Sequence, residues 1–168
     1  RSFRPLRMAV MTVSDTRTLD TDKSGALLVA RAQEAGHRII DRKLVTDSRE
    51  HIEAQLREWI AREDVEVILS SGGTGVTGRD VTPEAFEAVY EKAIVGFGEL
   101  FRWLSYQTIG SSTVQSRATA GVCNGTYLFA LPGSPGACRD AWDQILVHQL
   151  DSRFRPCNFA ELRARFAE

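Results

Sequence analysis

A glycine-rich segment is the part of the sequence best suited to binding an anion. Ser71-Gly72-Gly73-Thr74-Gly75 directly follows an apolar run at residues 65–70. Glycine allows backbone N–H groups to approach a phosphate closely. The segment lacks the lysine of a Walker loop and the spacing of a dinucleotide fingerprint, so neither nucleotide motif is supported. We expect this glycine loop to cradle an anion, although a tight turn would also use these residues.

Two aspartates, Asp47 and Asp80, are candidates for positioning a metal ion or a proton. Asp47 follows a predicted strand, and Asp80 lies between the glycine loop and Thr82-Pro83. A carboxylate about 5 Å from a phosphate is repelled by about 3 kcal/mol at an effective dielectric of about 20, which favours a bridging cation. Mg²⁺ suits this role because it binds a few carboxylates together with substrate phosphates. Asp47 could instead cap a helix, and Asp80 could be a turn residue.

Three further polar loops could contact a ligand. Ser14 follows an apolar strand, and Pro132-Gly133-Ser134 lies between a strand and a helix, where ligands often bind. Gly110-Ser111-Ser112-Thr113, followed by Ser116-Arg117, supplies hydroxyls and a guanidinium for heteroatoms or phosphate. The alternatives are ordinary loop chemistry, a helix cap and a surface ion pair.

The elements that must position these loops alternate between strands and helices. Apolar runs predict strands at residues 8–13, 38–45, 65–70, 117–123 and 126–131. Helical periodicity and capping residues predict helices at residues 23–35, 47–60, 82–92, 99–104 and 138–150. Gly96 and Gly98 are expected to interrupt the helical pattern, and Asn124-Gly125 predicts a hairpin turn.

This alternation predicts an α/β fold of three αβα layers, with a mostly parallel central sheet and an antiparallel hairpin at one side. Ser14, Asp47 and Gly72 each lie just beyond the carboxyl end of a predicted parallel strand. Those ends share one edge of the sheet, which is where open α/β sheets bind ligands. The sequence therefore predicts that these loops form a common site.

Composition limits the classes of protein that remain. With 168 residues, 43% of them hydrophobic, the chain can bury one substantial core, so we expect a single domain over residues 1–168. The 21 Lys and Arg nearly cancel the 22 Asp and Glu, so neither nucleic acid nor a membrane is an expected partner. The apolar runs are far shorter than the roughly 20 residues needed to cross a bilayer. Residues 1–7 lack the apolar stretch of a signal peptide, so we expect a cytoplasmic protein.

The cysteines, histidines and tryptophans are scattered along the chain. Three cysteines without a Cys-x-x-Cys pair indicate reduced thiols, and the spacing of the three histidines predicts no metal cluster made by the protein alone. Trp59, Trp103 and Trp142 lie in helical apolar patterns and are expected in the core or at an interface.

Longer motifs spread over nearly the whole chain are specific enough to indicate a family. They are the glycine loop with Gly78-Arg79-Asp80-Val81-Thr82-Pro83-Glu84-Ala85, Gly96-Phe97-Gly98-Glu99, Ser116-Arg117-Ala118-Thr119-Ala120-Gly121 and Leu131-Pro132-Gly133-Ser134. In these motifs the chain resembles the MoaB/MogA family of molybdenum-cofactor biosynthesis proteins, which is related to the gephyrin G domain. The loop at Gly110 and the closing Arg155-Pro156-Cys157-Asn158-Phe159 are more similar to the MoaB branch.

The resemblance implies a molybdopterin adenylyltransferase. In that reaction the terminal phosphate of molybdopterin attacks the α-phosphorus of ATP and pyrophosphate leaves, with Mg²⁺ offsetting the charge. Asp47 and Asp80 match the two acidic positions associated with activity in the adenylylating branch, so the resemblance implies that both position the metal or the reactants. Some MoaB-type members differ at the first position, and noncatalytic binding or delivery of molybdopterin is therefore the alternative function. Another sugar-phosphate or nucleotide enzyme on the same scaffold is a third hypothesis.

The resemblance also implies self-association as a trimer or a hexamer, and a molybdenum-insertion protein as a further partner. Beyond the two aspartates, the residues expected to contact the substrates are Ser14, Gly72, Gly73, Thr74, Gly75, Ser111, Ser112, Ser116, Arg117, Pro132, Gly133 and Ser134.

Overall fold

The computed structural model describes residues 2–168, which form six strands and a set of helices. The strands are β1 (Arg7–Val13), β2 (Arg38–Val45), β3 (Val67–Ser71), β4 (Lys92–Ala93), β5 (Thr119–Cys123) and β6 (Thr126–Leu131). The α-helices are α1 (Lys23–Glu34), α2 (Arg49–Ile60), α3 (Thr82–Glu87), α4 (Val95–Ile109), α5 (Pro135–Ala141), α6 (Val147–Gln149) and α7 (Phe159–Leu162). Short 3-10 helices cover Gly110–Gln115 and Arg163–Arg165, and a π-helical turn, Trp142–Leu146, joins α5 to α6.

The six strands form one mixed sheet in the order β2-β1-β3-β6-β5-β4. The first four strands of this order pair in parallel, whereas β5 pairs antiparallel with both β6 and β4. Asn124 and Gly125 adopt φ angles of 49° and 78°, which are the positive values that a type I′ hairpin turn requires. The predicted α/β fold, with a mostly parallel sheet and an antiparallel hairpin, is confirmed.

Helices cover both faces of the sheet, and each face has its own hydrophobic cluster. Alternate residues of β1 divide between them: Met8 and Val10 join the cluster beneath α1, α4 and α5, whereas Ala9 and Met11 join the cluster beneath α2 and α3. Every residue of β3 is buried, as expected for a central parallel strand covered on both sides. No helix within residues 2–168 has both the length and the apolar composition that crossing a membrane requires.

Two of the predicted helices near the antiparallel edge have wrong boundaries. Helix α3 ends at Glu87 rather than near residue 92, because the following chain joins the sheet: the Glu91 N–H donates to the Val122 carbonyl at 2.9 Å. Gly96 and Gly98 lie inside α4 instead of interrupting it. A Cβ at Gly98 would stand 2.7 Å from the Ala118 carbonyl oxygen, so this glycine lets the helix pack closely against the chain that enters β5.

Other differences concern helix starts and one tryptophan. Ser48 caps α2, because its side chain accepts from the His51 N–H, and Asp47 therefore precedes the cap. Helix α5 begins at Pro135, three residues before the predicted start, because Ser134 caps it. Trp59 and Trp142 are buried in the core, as expected, whereas 64% of Trp103 is exposed. Of the two environments expected for the tryptophans, core or interface, only an interface suits Trp103.

A buried histidine lies between the N-terminal segment and the C-terminal helices. The His37 Nδ1 atom accepts from the Leu6 N–H at 3.0 Å, and its ring packs against Phe3 and Trp142. Among the described residues, the His37 Nε2 atom has no hydrogen-bond partner. Burial lowers the pKa of His37 from 6.5 to about 4, although the charges of Asp151 and Glu66 act in the opposite direction. The folded state therefore favours the neutral ring.

This histidine should make folding depend on pH. Because the pKa of His37 is lower in the folded state than in the unfolded state, the neutral ring contributes to the free energy of unfolding above about pH 6.5. This contribution is lost as the pH falls toward about 4. We expect His37 to account for about 2.5 kcal/mol of the free energy of unfolding lost between about pH 7 and pH 4.5. Urea titrations at both pH values should show a smaller loss for His37→Asn than for wild type. The exposed-site control His51→Asn should lose as much as wild type, and an equal loss in all three proteins would contradict the prediction.

Candidate functional site

The loops after β1, β2 and β3 bring three aspartates to the carboxyl edge of the sheet. The Asp47 N–H donates to Asp15 Oδ1 at 2.8 Å, which joins the loop after β2 to the loop after β1. Asp15 Oδ2 lies 4.0 Å from the Arg79 guanidinium, in the loop after β3. Asp80 follows Arg79 directly in the sequence, and the negative charge of Asp80 raises the pKa of Asp47. We call Asp15, Asp47 and Asp80 the acidic cluster.

Within this cluster, the Asp80 carboxylate is held by its own loop. Its Oδ2 atom accepts from the Thr77 N–H at 2.9 Å and from the Thr77 hydroxyl at 2.8 Å. Gly75 lies so close that a Cβ there would stand 2.7 Å from the same oxygen. Glycine at this position therefore allows the loop to close around the carboxylate.

The pKa values of the two predicted catalytic aspartates, Asp47 and Asp80, are shifted in opposite directions. Burial raises the pKa of Asp47, and the negative charges of Asp15 and Asp80 raise it further. Burial also acts to raise the pKa of Asp80, but hydrogen bonds from Thr77 and Gly75 outweigh it and hold that pKa below its ordinary value. Asp80 is thus stabilised as an anion, whereas burial and the neighbouring charges make the Asp47 anion less favourable than that of an isolated aspartate.

This electrostatic arrangement fits a Mg²⁺ ion that arrives with a phosphate ligand. Within residues 2–168, no three histidine, cysteine or acidic side chains are grouped to hold a metal by themselves. Mg²⁺ needs less from the protein, because one or two carboxylates with substrate phosphates and water complete its octahedral shell. Asp47 and Asp80 are the residues that would supply those carboxylates, and a cation would offset the burial and the repulsion that together raise the pKa of Asp47.

The glycine loop is packed too tightly for side chains at its first two glycines. Gly72 and Gly73 have φ angles of 99° and 72°, in the region that favours glycine. A Cβ on Gly72 would stand 2.3 Å from the Val13 carbonyl oxygen. Thr82 fixes the loop from the other side, because its hydroxyl donates to the Gly72 carbonyl at 2.9 Å and its N–H donates to the Gly73 carbonyl at 3.1 Å. The buried Thr74 continues the loop toward Gly75.

A cleft of about 440 Å³ opens beside the glycine loop. Its lining comes from the end of β1 and the following loop, the start of α1, the glycine loop and the start of α5: Thr12, Val13, Ser14, Thr16, Arg17, Thr21, Asp22, Lys23, Ser24, Ser71, Gly72, Gly133 and Pro135. Because Ser14 lines the cleft and Asp15 belongs to the acidic cluster, the two regions share one loop.

Of the predicted substrate-contacting residues, Ser14, Gly72 and Gly133 line the cleft. The Ser14 hydroxyl accepts from the N–H groups of Thr16 and Arg17, both at 3.1 Å, and so shapes the loop as well. The Gly133 carbonyl accepts from the Ser24 hydroxyl at 2.7 Å. Pro132 and Ser134 flank Gly133, and Ser134 also caps α5.

The polar loop at residues 110–117 lies outside the cleft lining. Ser111 and Ser112 are exposed in the 3-10 helix Gly110–Gln115, and neither is part of the cleft lining among residues 2–168. The Ser116 hydroxyl accepts from the Ala118 N–H at 3.3 Å. The Arg117 guanidinium points to the loop after β3, where it donates to main-chain carbonyls and to Glu84.

Several cleft residues were absent from the sequence prediction. Asp22 is 3% exposed; its Oδ2 atom accepts from the Thr12 hydroxyl at 2.6 Å and from Arg42 Nη2 at 3.0 Å. Its Oδ1 atom accepts from the Gly25 N–H and caps α1, which is the local pattern that could have drawn attention to it. Ser71 belonged to the predicted anion loop but not to the predicted set of substrate contacts; its hydroxyl is buried without a partner among the described residues, and it lines the cleft. Such an atom is suited to bind a ligand.

Fold and site together define a class: an open α/β domain with its candidate ligand site at the carboxyl edge of the parallel strands. Within that class, the chain belongs to the MoaB/MogA family. The family model described as "Probable molybdopterin binding domain" matches residues 9–152. Molybdenum cofactor biosynthesis protein B of Escherichia coli (strain K12) is 52% identical over 157 residues, covering 94% of this chain and 92% of the relative.

Solved structures agree with this assignment. One described as "Crystal structure of Molybdenum cofactor biosynthesis protein B" has a TM-score of 0.87 and 45% identity, and the match covers 89% of this chain and 94% of that chain. A structure of MogA has a TM-score of 0.76 and 30% identity, with coverage of 86% and 97%. The predicted family is confirmed.

The packing of Gly72 leads to a test of the glycine loop. Gly72→Ala should destabilise the fold by about 2 kcal/mol or more, because it adds a Cβ at positive φ against a main-chain oxygen. Gly78→Ala is the matched control, since a Cβ there meets nothing within 4 Å. Urea denaturation should show a lower midpoint for Gly72→Ala alone. Equal midpoints would contradict the tight packing.

Proposed function

We propose that the protein acts in molybdenum-cofactor biosynthesis, binding molybdopterin and adenylylating it with ATP and Mg²⁺. The observation that carries the proposal is the junction of two regions at one edge of the sheet: a hydroxyl-lined cleft and a cluster of aspartates that share the loop after β1. A substrate phosphate that arrives with a bound cation would use both regions, because the hydroxyls suit its polar atoms and the aspartates suit the cation. Family membership supports molybdopterin as the substrate, because the matching family model is described as "Probable molybdopterin binding domain" and relatives carry the name molybdenum cofactor biosynthesis protein B.

The cleft is the proposed site for the anionic and hydrogen-bonding parts of the substrates. Arg17 and Lys23 supply positive charge, and the buried Ser71 hydroxyl supplies a free donor or acceptor. The start of the 12-residue helix α1 also faces this cleft, where the Asp22 carboxylate caps the helix and offsets its partial positive charge. Ser14, Gly133 and the glycine loop complete the proposed contacts. Ser111 and Ser112 would reach a ligand only where it extends beyond the cleft.

In the proposed reaction, an oxygen of the molybdopterin phosphate attacks the α-phosphorus of ATP. A phosphoanhydride bond forms, the bond to the β-phosphate oxygen breaks, and pyrophosphate leaves. The chain's own contribution is to orient the two anionic reactants and to hold two carboxylates near them. Asp80, kept ionised by Thr77, and Asp47 would bind Mg²⁺, which supplies charge neutralisation for the triphosphate when bound.

An adenylylation assay tests this function directly. The protein, molybdopterin and Mg-ATP should yield adenylylated molybdopterin and pyrophosphate. Asp80→Asn should slow the reaction by about 100-fold or more, because it removes the anion that the loop is built to hold. Asp47→Asn should also slow it, since it removes the second proposed ligand.

Asp64→Asn is the matched control, because Asp64 precedes β3 and lies toward the opposite edge of the sheet. It should retain wild-type rates. If wild-type protein binds molybdopterin tightly, independently of ATP and of both aspartates, and releases no pyrophosphate, the noncatalytic binding or delivery function replaces the enzyme.

We further propose that helix α4 supports self-association into a trimer or hexamer. Several large apolar side chains on this helix are exposed: Val95, Leu100, Trp103, Tyr106 and Ile109. Leu100, Trp103 and Tyr106 are spaced by three residues, which places them along one side of the helix. An apolar surface of this kind is characteristic of a protein interface, and tryptophan is often the strongest contributor.

Trp103→Ser should therefore shift the assembly toward smaller species, because it removes the largest exposed apolar side chain of α4. Light scattering with size-exclusion chromatography would measure the molar mass across a concentration series. Leu19→Ser, a change at an exposed apolar residue of another segment, should leave the mass unchanged. A monomeric wild-type protein, or a Trp103→Ser variant with wild-type mass, would contradict the proposed interface.

A further inference from the structure

One guanidinium joins both ends of the loop that carries Asp80. Arg117 Nε donates to the Gly75 carbonyl at 2.7 Å, and Nη2 donates to the Asp80 carbonyl at 2.7 Å. The Arg117 main-chain N–H donates to the Thr74 carbonyl at 2.8 Å. Segment 74–80 is therefore attached to a residue 37 positions further along the chain than Asp80.

The orientation of this guanidinium is fixed from α3. Arg117 Nη1 and Nη2 both donate to the Glu84 carboxylate, and this bonding lowers the pKa of Glu84. Four of the five N–H groups of the guanidinium are thus used, all within the protein. An ammonium group could not make the same set of bonds, because they depend on the planar fork of arginine.

This geometry matters because the Asp80 carboxylate depends on the same segment. Its partners, Thr77 and Gly75, lie in the segment that the Arg117 guanidinium spans. Fixing the Gly75 and Asp80 carbonyls therefore limits how far the carboxylate can move relative to the glycine loop. A misplacement of about 1 Å in a reacting group can lower a rate by about 100-fold.

We propose that Arg117 is a positioning residue for Asp80, oriented by Glu84, and that its guanidinium does not bind substrate. The inference rests on the proposed function for its effect on catalysis, but the effect on the loop is independent of any reaction. The sequence analysis expected Arg117 to contact a substrate phosphate, whereas the structure favours a role in holding the loop that carries Asp80. A phosphate contact would use the one remaining N–H group or break bonds that now hold the loop.

Steady-state kinetics separate these two roles. With Arg117→Ala, we expect kcat for adenylylation to fall about 100-fold while KM for ATP and for molybdopterin changes by less than about threefold. Added guanidinium ion should restore part of kcat in Arg117→Ala and none in Asp80→Asn. Glu84→Gln, which retains one carbonyl acceptor for Arg117, should give a smaller loss of about fivefold. A raised KM with unchanged kcat would overturn the proposal in favour of direct substrate contact.

Arg102→Ala is the matched control. The Arg102 guanidinium also donates to main-chain carbonyls, those of Ser116 and Ala118, but it makes no bond to segment 74–80 among the described residues. It should leave kcat within about threefold of wild type. A loss equal to that of Arg117→Ala would overturn the proposal, because general loosening around residue 117 would then explain the effect.

Amide hydrogen exchange tests the positioning without any reaction. The Thr77 N–H, which donates to Asp80, should exchange about tenfold faster or more in Arg117→Ala, and at the wild-type rate in Arg102→Ala. Unchanged exchange in Arg117→Ala would overturn the proposal. If exchange responds as expected but wild-type protein does not adenylylate molybdopterin, the positioning of Asp80 stands and the proposed function fails.

Discussion

The site depends on one close approach between main-chain segments, at the point where β3 ends. The parallel register places Ser71 beside Thr12 of β1 and Leu131 of β6. One residue later, the Gly72 N–H donates to the Leu131 carbonyl at 3.0 Å, and its Cα faces the Val13 carbonyl so closely that no side chain fits. This contact holds the loops after three neighbouring strands together. The wall of the cleft at Val13 and Gly72 follows from it, and the loop after β2 joins this edge through the bond from the Asp47 N–H to Asp15.

The same edge carries two regions of opposite electrostatic character. On the cleft side, Arg17 and Lys23 provide positive charge, and the buried Asp22 carboxylate is paired with Arg42. On the other side lie Asp15, Asp47 and Asp80, and the pKa of Asp47 is raised first by burial and then by the charges of Asp15 and Asp80. A ligand that bears both an anionic group and a bound cation complements the two regions at once. A free phosphate or a free cation would complement only one of them.

The sequence predicted the parts of this arrangement that local patterns encode. Buried strands, the Asn124-Gly125 turn and the glycine loop each have a short-range signature, and the shared edge followed from the order of the elements. The boundaries of α3 and α4 were wrong because they depend on pairing with β5 and on the contact between Gly98 and Ala118. Thr12 could not be recognised as a cleft residue, because it reads as an ordinary position of a buried strand, whereas Ser71 belonged to the segment predicted to cradle an anion. Likewise, no local pattern reveals which of its neighbours in space Arg117 will bind.

The floor of the cleft illustrates why such tertiary contacts decide the chemistry. Asp22 is buried between β1 and α1, and its carboxylate accepts from Thr12, from Gly25 and from Arg42 of β2. A buried ion pair is weak support for stability, because desolvation opposes the Coulomb attraction, but removing either partner leaves an uncompensated charge. Asp22 and Arg42 therefore tie the start of α1 to two strands in a fixed orientation. The Gly25 N–H donates to the Asp22 carboxylate, and the Lys23 and Ala26 N–H groups donate to main-chain carbonyls, so this end of α1 is fixed by bonds within the protein. The cleft side chains at the helix start are therefore held in place before a ligand arrives, which is the condition under which a polar site is most effective.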